Sequence, residues 1–387
     1  MQNELGISVV TDFEDIRPFH DDEVARELRK LVNDDEFVDF LASWLTPFLN
    51  RHIPFIGRYL LKLYLRRLIS PIKDIDGFQS LIARFANKLI REGTEDVKYE
   101  GFEKLDPSQS YLFISNHRDI ACDSMLLDYG LYINGLDTVR IAIGDNLVQT
   151  DFATSLMRLN KGFFIKRSVR GNKKIYAALL QASSYIKESI QSGNSVWIAQ
   201  SEGRSKDAID ITDPALIKML GLAKGNAEFN SFMQSLNIVP LSISYEFDPC
   251  DELKAKELTL KDLGEEYRKP AGEDLISLAK GLYGKKGRVK FSIGNPLNQT
   301  FDDPSRIARE IDRQIVSNLE LYPINYWALS KLSEEPYKQL KAQHSIDISK
   351  KDIRYLNKRL QKCPEEYRRQ FLRIYANPIL NRDSLDI

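Results

Sequence analysis

The feature that most constrains this chain is an alternation between residues 100 and 300. Short apolar runs trade places with longer stretches of helical periodicity. The runs are "YLFIS" (111–115), "VRIAIG" (139–144), "GFFIKR" (162–167), "SVWIAQ" (195–200), "IVPLSISYE" (238–246) and "RVKFSIGNPL" (288–297). Between them lie "DSMLLDYGLYING", "FATSLMRLN" and "NKKIYAALLQASSYIKESIQSG". The last puts Ile175, Leu179, Ala182 and Ile186 on one stripe and ends before Gly193, the residue type that stops helices. Strands separated by helices form βαβ units, whose strands are buried on both faces and so read as continuous apolar runs. The pattern predicts an α/β protein with a mostly parallel central sheet flanked by helices, and with N-terminal and C-terminal helical additions. Three segments follow from it: a helical region over 1–98, an α/β domain over 99–300, and a charged helical extension over 301–387 that carries the aromatic patch "YPINYW" at 322–327.

The chain has 387 residues, 43% hydrophobic and 28% charged, a folded globular composition. Cys122, Cys250 and Cys363 are far apart and form no CxxC pair. That argues against a disulfide framework and a zinc site, and fits a reducing cytosol. The start "MQNELGISVVTDFEDIRPFH" lacks the basic-then-apolar layout of a secretory signal. No uncharged apolar run approaches the roughly 18–20 residues that span a bilayer. The expectation is a cytoplasmic protein, peripheral on the inner face of the membrane.

Net charge is zero but unevenly spread. Residues 1–39 hold twelve acids against four Lys/Arg, and residues 51–91 hold nine Lys/Arg against two acids. Within the basic stretch, Arg58, Lys62 and Arg66 recur every four residues beside Leu61, Leu65 and Leu68, a basic amphipathic helix. It either packs on the main domain with its basic face in water, or lies in the headgroup layer of an anionic membrane. On the second reading Arg67 joins the cations, and Trp44, Phe48, Phe55 and Leu61 add apolar burial. Binding would then weaken with salt.

In open α/β sheets, ligands meet the carboxyl ends of strands. Four chemically loaded stretches follow predicted strands here: "NHRD", "IKRS", "SEGRSK" and "YEFDP". His117 comes with Asp119 and Asp123, and a carboxylate beside an imidazole leaves its second nitrogen free as a base. Lys166 and Arg167 end one strand and suit a phosphate. Glu202, Gly203, Arg204, Ser205 and Lys206 offer a tight turn with donors for an anion. Taken singly, each stretch also reads as a helix cap, a solvated strand end or a surface turn. The chain shows no P-loop, no dinucleotide glycine fingerprint, no HExxH and no Gly-x-Ser-x-Gly nucleophile turn.

In their order and spacing, "SNHRDIACD", "GFFIKRS", "SEGRSKD", "IVPLSISYE" and the late "VKFSIGNPL" resemble the glycerolipid acyltransferase superfamily, the glycerol-phosphate and lysophosphatidate acyltransferases, over roughly residues 100–300. The resemblance implies transfer of a fatty acyl group from acyl-CoA or acyl-carrier protein to the hydroxyl of a glycerol-phosphate or lysophosphatidate acceptor. His117 would be the base, with Asp123 or Asp119 behind it. Lys166, Arg167 and Arg204 would hold the acceptor's phosphate, with Glu202, Gly203 and Ser205 shaping its pocket. It implies no metal or prosthetic group, an anionic membrane surface as partner, and no nucleic acid. Two departures stand out. The family places its Asp five residues after the His, where this chain has Cys122, and it carries one more residue between Glu-Gly and Arg-Ser. An acyltransferase for a non-phosphate lysolipid, and a non-catalytic lipid-binding protein on the same fold, are the competing expectations.

Overall fold

The computed structural model describes residues 12–45, 51–147, 150–270, 272–301, 303–344 and 348–385. Within them the alternation resolves into β1 (Thr94–Glu100), β2 (Leu112–Ser115), β3 (Arg140–Gly144), β4 (Gly162–Ile165), β5 (Val196–Ala199), β6 (Ile238–Tyr245) and β7 (Gly287–Ile293). Helices lie between most of them and at both ends of the chain. The chain divides into two compact units: a larger one of Ala86–Asp137 and Trp197–Ile387, and a smaller one of Met1–Phe85 and Thr138–Val196.

In the larger unit the strand order is β1-β7-β6-β2-β5. β1 runs parallel to β7 and β2 parallel to β6, while β6 and β7 are antiparallel, with Leu241 opposite Ile293 and Tyr245 opposite Val289. The sheet is therefore mixed but mostly parallel. "LFIS" of β2 is buried at every position, as a strand covered on both faces must be. β1, "TEDVKYE", went unread in the sequence because it is a polar edge strand, paired on one side only. Beyond the sheet, helices Pro323–Lys331, Lys350–Lys362 and Arg368–Asp383 close around Trp327, Leu356, Phe371, Tyr375 and Ile379. The "YPINYW" stretch is thus largely interior: Tyr322, Ile324 and Trp327 are all buried.

In the smaller unit β3 and β4 pair in parallel, Ile141 opposite Gly162 and Gly144 opposite Ile165. Its core joins Val24, Leu28, Phe37, Leu61, Leu65, Phe78 and Phe152. The basic helix is Pro54–Ile69, opened by a proline at its first position. Arg58, Lys62 and Arg66 are each engaged by a neighbouring helix and do not form a free lipid-binding row. Arg58 donates to Asp39 at 2.7 Å, Lys62 to Asp35 at 2.7 Å and Arg66 to Asn33 at 2.8 Å, all on the acid-rich helices that precede it. Leu61, assigned to the membrane face from the sequence, is in the core. The exposed side of this helix carries Phe55 (82% exposed), Ile56, Tyr59 (64%), Leu60, Leu63 and Tyr64 (60%). The Trp44 side chain and Phe48 lie outside the described residues.

Candidate active site

The site is built where β2 runs out. Ser115 ends the strand, and the Asn116 side chain then substitutes for backbone. Its amide donates to Ile243 O at 2.9 Å and its oxygen accepts from Ile243 N at 2.8 Å, so the chain leaves the sheet without stranding a polar group of β6. Trp197 on β5 donates its indole N–H to Ser115 Oγ at 2.9 Å and presents its ring edge-on to His117, 5.5 Å between centroids. His117 is therefore backed by a fixed aromatic and delivered at the strand's carboxyl end.

His117 Nδ1 is 2.8 Å from Asp123 Oδ2, and Asp123 is fully buried in the first turn of helix Cys122–Ile133. The same oxygen accepts from Arg118 N at 2.6 Å and Asp119 N at 3.0 Å, while Oδ1 accepts from the Tyr245 hydroxyl at 2.9 Å. Four hydrogen-bond partners thus converge on one buried carboxylate. The carboxylate in turn holds a proton on Nδ1 and leaves Nε2 as the imidazole's acceptor. Nε2 has no partner among the described residues.

Asp119, the other candidate, does something different. Its Oδ1 accepts from Ala121 N at 3.1 Å and Cys122 N at 2.9 Å, closing the turn into the helix. Its carboxylate lies against Gly281, where an added Cβ would come within 2.2 Å of it. Burial, then the Asp123 charge, push its pKa up. The extra residue between His117 and the helix is thus absorbed as a capped turn, and the dyad closes on Asp123. Cys122, at the position where the family has its acid, points away and donates its thiol to Gly281 O at 3.3 Å.

The "SEGRSK" loop meets the His117 loop through backbone. Ser205 N donates to His117 O at 2.7 Å. Gly203 sits at φ +75°, a conformation that favours glycine, with open space where a Cβ would stand. Arg204 makes no hydrogen bond or ion pair among the described residues and is half-buried. Its charge is felt by Asp248 and Cys250. Glu202 is exposed on the same turn, and Lys206 is paired with Glu257.

His117, Asp123, Asp119, Gly203, Arg204 and Ser205 thus share one unit, most of them tied by direct hydrogen bonds. Lys166 and Arg167 belong to the other unit, just past β4. Lys166 is ion-paired with Asp15, and Arg167 N donates to Asp145 Oδ1 at 2.9 Å. Three residues escaped the sequence reading. Arg118 donates to buried Asp210 at 2.5 Å and reaches Ser205 Oγ at 3.4 Å. Burial pushes Asp210 up, partly offset by the Arg118 charge. Tyr245 closes the dyad, and Lys254 lies beneath both loops. Tyr245 was within reach of sequence reasoning, since it ends the strand that pairs with β2, the strand leading to His117. Among the described residues no group of three or more His, Cys, Asp or Glu is placed to hold a metal.

The structure thus sets a strand-end imidazole against a buried carboxylate, beside a loop whose guanidinium makes no ion pair among the described residues. A model of the acyltransferase family matches residues 96–244. Over 216 residues the chain is 29% identical to the glycerol-3-phosphate acyltransferase of Pseudoalteromonas translucida, covering 54% of this chain and 24% of that protein. It is 27% identical over 217 residues to the same-named protein of Pseudomonas savastanoi (56% and 24%). It is also 27% identical over 208 residues to the dihydroxyacetone phosphate acyltransferase of Bos taurus (52% and 29%). The crystal structure of a 1-acyl-sn-glycerophosphate acyltransferase from Thermotoga maritima superposes with a TM-score of 0.37 at 15% identity, covering 72% of this chain and 92% of that one. Over the stretch that holds this site, the chain is thus similar to the acyltransferase family and to glycerol-3-phosphate acyltransferases. It spans about a quarter of the length of the bacterial relatives it matches.

Proposed function

We propose that this chain transfers a fatty acyl group from an acyl thioester, acyl-CoA or acyl-carrier protein, to a hydroxyl of a small glycerol-phosphate-type acceptor. His117 Nε2 takes the hydroxyl proton as the oxygen attacks the thioester carbonyl. The tetrahedral intermediate expels the thiolate, which takes the proton back from the imidazolium. Asp123 stabilises the imidazolium between the two transfers. Arg204 binds the acceptor's phosphate. Positioned base catalysis of this kind contributes about 10²–10⁴-fold in rate. The observation that carries the reading is the 2.8 Å contact between His117 Nδ1 and a fully buried Asp123. The names of the relatives, glycerol-3-phosphate and dihydroxyacetone phosphate acyltransferases, support a phosphomonoester acceptor.

The exposed face of helix Pro54–Ile69 supports a membrane surface as a partner of this protein. No described helix is long and apolar enough to cross a bilayer. Phe55, Ile56, Tyr59, Leu60, Leu63 and Tyr64 instead form a face of interfacial type, aromatic and apolar. Exposed Arg67 lies on that face and exposed Arg51 precedes the helix, neither ion-paired among the described residues. They complement anionic headgroups at its ends. The occupant is a lipid bilayer, met by burial rather than by the row in which Arg58 and Lys62 are already paired with acids.

The functional test is a panel assay. Purified protein is given labelled palmitoyl-CoA or palmitoyl-carrier protein with glycerol 3-phosphate, dihydroxyacetone phosphate, lysophosphatidate or a lysolipid without a phosphate. Ester should form on phosphate-bearing acceptors. Ester only on the phosphate-free lysolipid, or none at all, overturns the reading.

A further inference from the structure

Helix Asp251–Asp262 carries Lys254, whose side chain is only 4% exposed. Its ammonium donates to Arg118 O at 2.9 Å, to Ser205 O at 3.0 Å and to Asp248 Oδ2 at 2.6 Å. Those three acceptors use all three of its donors. Two of them are carbonyls of the residues that directly follow His117 and Arg204. We infer that Lys254 is a positioning residue for acyl transfer, fixing the loop of the base against the loop of the acceptor-binding cation. This rests on the proposed function for what the two loops do, and on geometry alone for the clasp.

A lysine is almost never buried unless paired, and an apolar residue would anchor a helix at lower cost in desolvation. Here the buried charge does what an apolar side chain cannot: it reaches two loop carbonyls at once. Ser205 N to His117 O and the Arg118 guanidinium to Ser205 Oγ add links across the same seam. Both departures from the family spacing fall in these two loops. One residue is gained between His117 and Asp123, and one is lost between Gly203 and Arg204. A seam altered on both sides must be held by something outside it, and Lys254 is placed to do so.

The corner that holds Lys254 is itself braced from the C-terminal helices. Asp248 Oδ1 accepts from Cys250 N at 2.7 Å, and Asp248 N donates to the Tyr375 hydroxyl oxygen at 3.0 Å. Arg359 donates to Asp248 O at 3.0 Å and to Asp251 Oδ2 at 2.7 Å. On helix Arg368–Asp383, Asn377 donates to Asp207 O at 2.7 Å, just past the acceptor loop. The extension at 301–387 therefore reaches the seam from behind.

Lys254→Met alone would strand the buried Asp248 carboxylate, and unfolding would then mask any effect on catalysis. The informative variant is Lys254→Met/Asp248→Asn, which removes both charges and keeps an oxygen for Cys250 N–H. Replacing both members of a buried pair is far milder than breaking one. The double variant should melt within a few degrees of wild type. Its kcat should fall at least about 10-fold, since a small misplacement of reacting groups costs up to roughly 100-fold. The thioester KM should stay within about two-fold. Amide hydrogen exchange over residues 203–206 should be slow in wild type and fast in the variant. A folded double variant with kcat within two-fold of wild type, or with unchanged exchange at Ser205, overturns the inference. If wild type esterifies no acceptor, the functional reading falls, and the exchange measurement alone still decides whether the clasp exists.

Discussion

Asp123→Asn isolates the charge behind His117 with little change in shape. In the native site Oδ2 accepts three N–H groups and Oδ1 one hydroxyl. An asparagine oxygen at the Oδ2 position can go on accepting from the three N–H groups, and its amide can donate to Tyr245, whose oxygen also accepts. What is lost is the negative charge facing an imidazolium. A ring nitrogen 2.8 Å from the carboxylate oxygen puts the charge centres roughly 4 Å apart, where opposite charges interact by about 4 kcal/mol at an effective dielectric near 20. Part of the imidazolium's stabilisation in the transition state disappears with it, so kcat should fall by about 10³-fold. Acceptor KM should change little, because the lost interaction is with the charge that forms during reaction. Asp119→Asn is the control: its oxygen can go on capping Ala121 N and Cys122 N, so activity should stay within about three-fold. The assay is initial-rate esterification of glycerol 3-phosphate at saturating palmitoyl-CoA, with circular dichroism to verify folding. A folded Asp123→Asn enzyme within ten-fold of wild type, or a larger loss at Asp119→Asn, would refute the dyad as drawn.

Arg204→Ala should raise the acceptor KM at least about ten-fold with a smaller change in kcat, since it removes binding to a part of the substrate that does not react. An unchanged KM would take Arg204 out of the phosphate site. Phe55→Glu/Tyr59→Glu/Leu63→Glu should abolish flotation with phosphatidylcholine–phosphatidylglycerol vesicles, whereas wild type should still float in 1 M salt, because burial is hardly screened. Binding lost at high salt would restore the charge-driven account, and a wild-type dimer that the triple change makes monomeric would assign the face to a second copy. Asp312 is held by Thr212 N at 2.7 Å and the Thr212 hydroxyl at 2.5 Å, yet burial raises its pKa from 3.8 to about 6. A carboxyl whose folded pKa exceeds its unfolded one binds its proton more tightly when folded. It therefore costs stability above about pH 6, less as pH falls, and nothing below about pH 4. A shift of that size corresponds to at most about 3 kcal/mol. Asp312→Asn, able to accept from both Thr212 groups, should raise the melting temperature at pH 8 and lose most of that gain by pH 4.5; an equal gain at both pH values would show that the buried charge is not the cause.

The sheet was legible because its central strands are buried on both faces and so appear as unbroken apolar runs. β1 was not, because an edge strand written "TEDVKYE" has no such run. His117 was legible from its place after β2. The choice between Asp119 and Asp123 was not settled by spacing, since two residues in an irregular turn leave direction open, and only the capped turn at Ala121 and Cys122 decides it. The basic helix shows how periodicity reveals a face without its partner. Arg58, Lys62 and Arg66 do share a side, but the acids that answer the first two were in plain sight in residues 1–39. The surplus of acid and the surplus of base pair across helices. Lys254 was hidden for a related reason: in "DELKAKELTLKD" it looks like any solvent-facing lysine, and only the fold turns it inward.

The most direct test of the account is His117→Ala under single-turnover conditions, with enzyme in excess over labelled palmitoyl-CoA and glycerol 3-phosphate saturating. If His117 is the base, ester should form at least 100-fold more slowly than in wild type at pH 7.5, with a melting temperature close to wild type. A folded His117→Ala protein that esterifies glycerol 3-phosphate at more than about a tenth of the wild-type rate would contradict it.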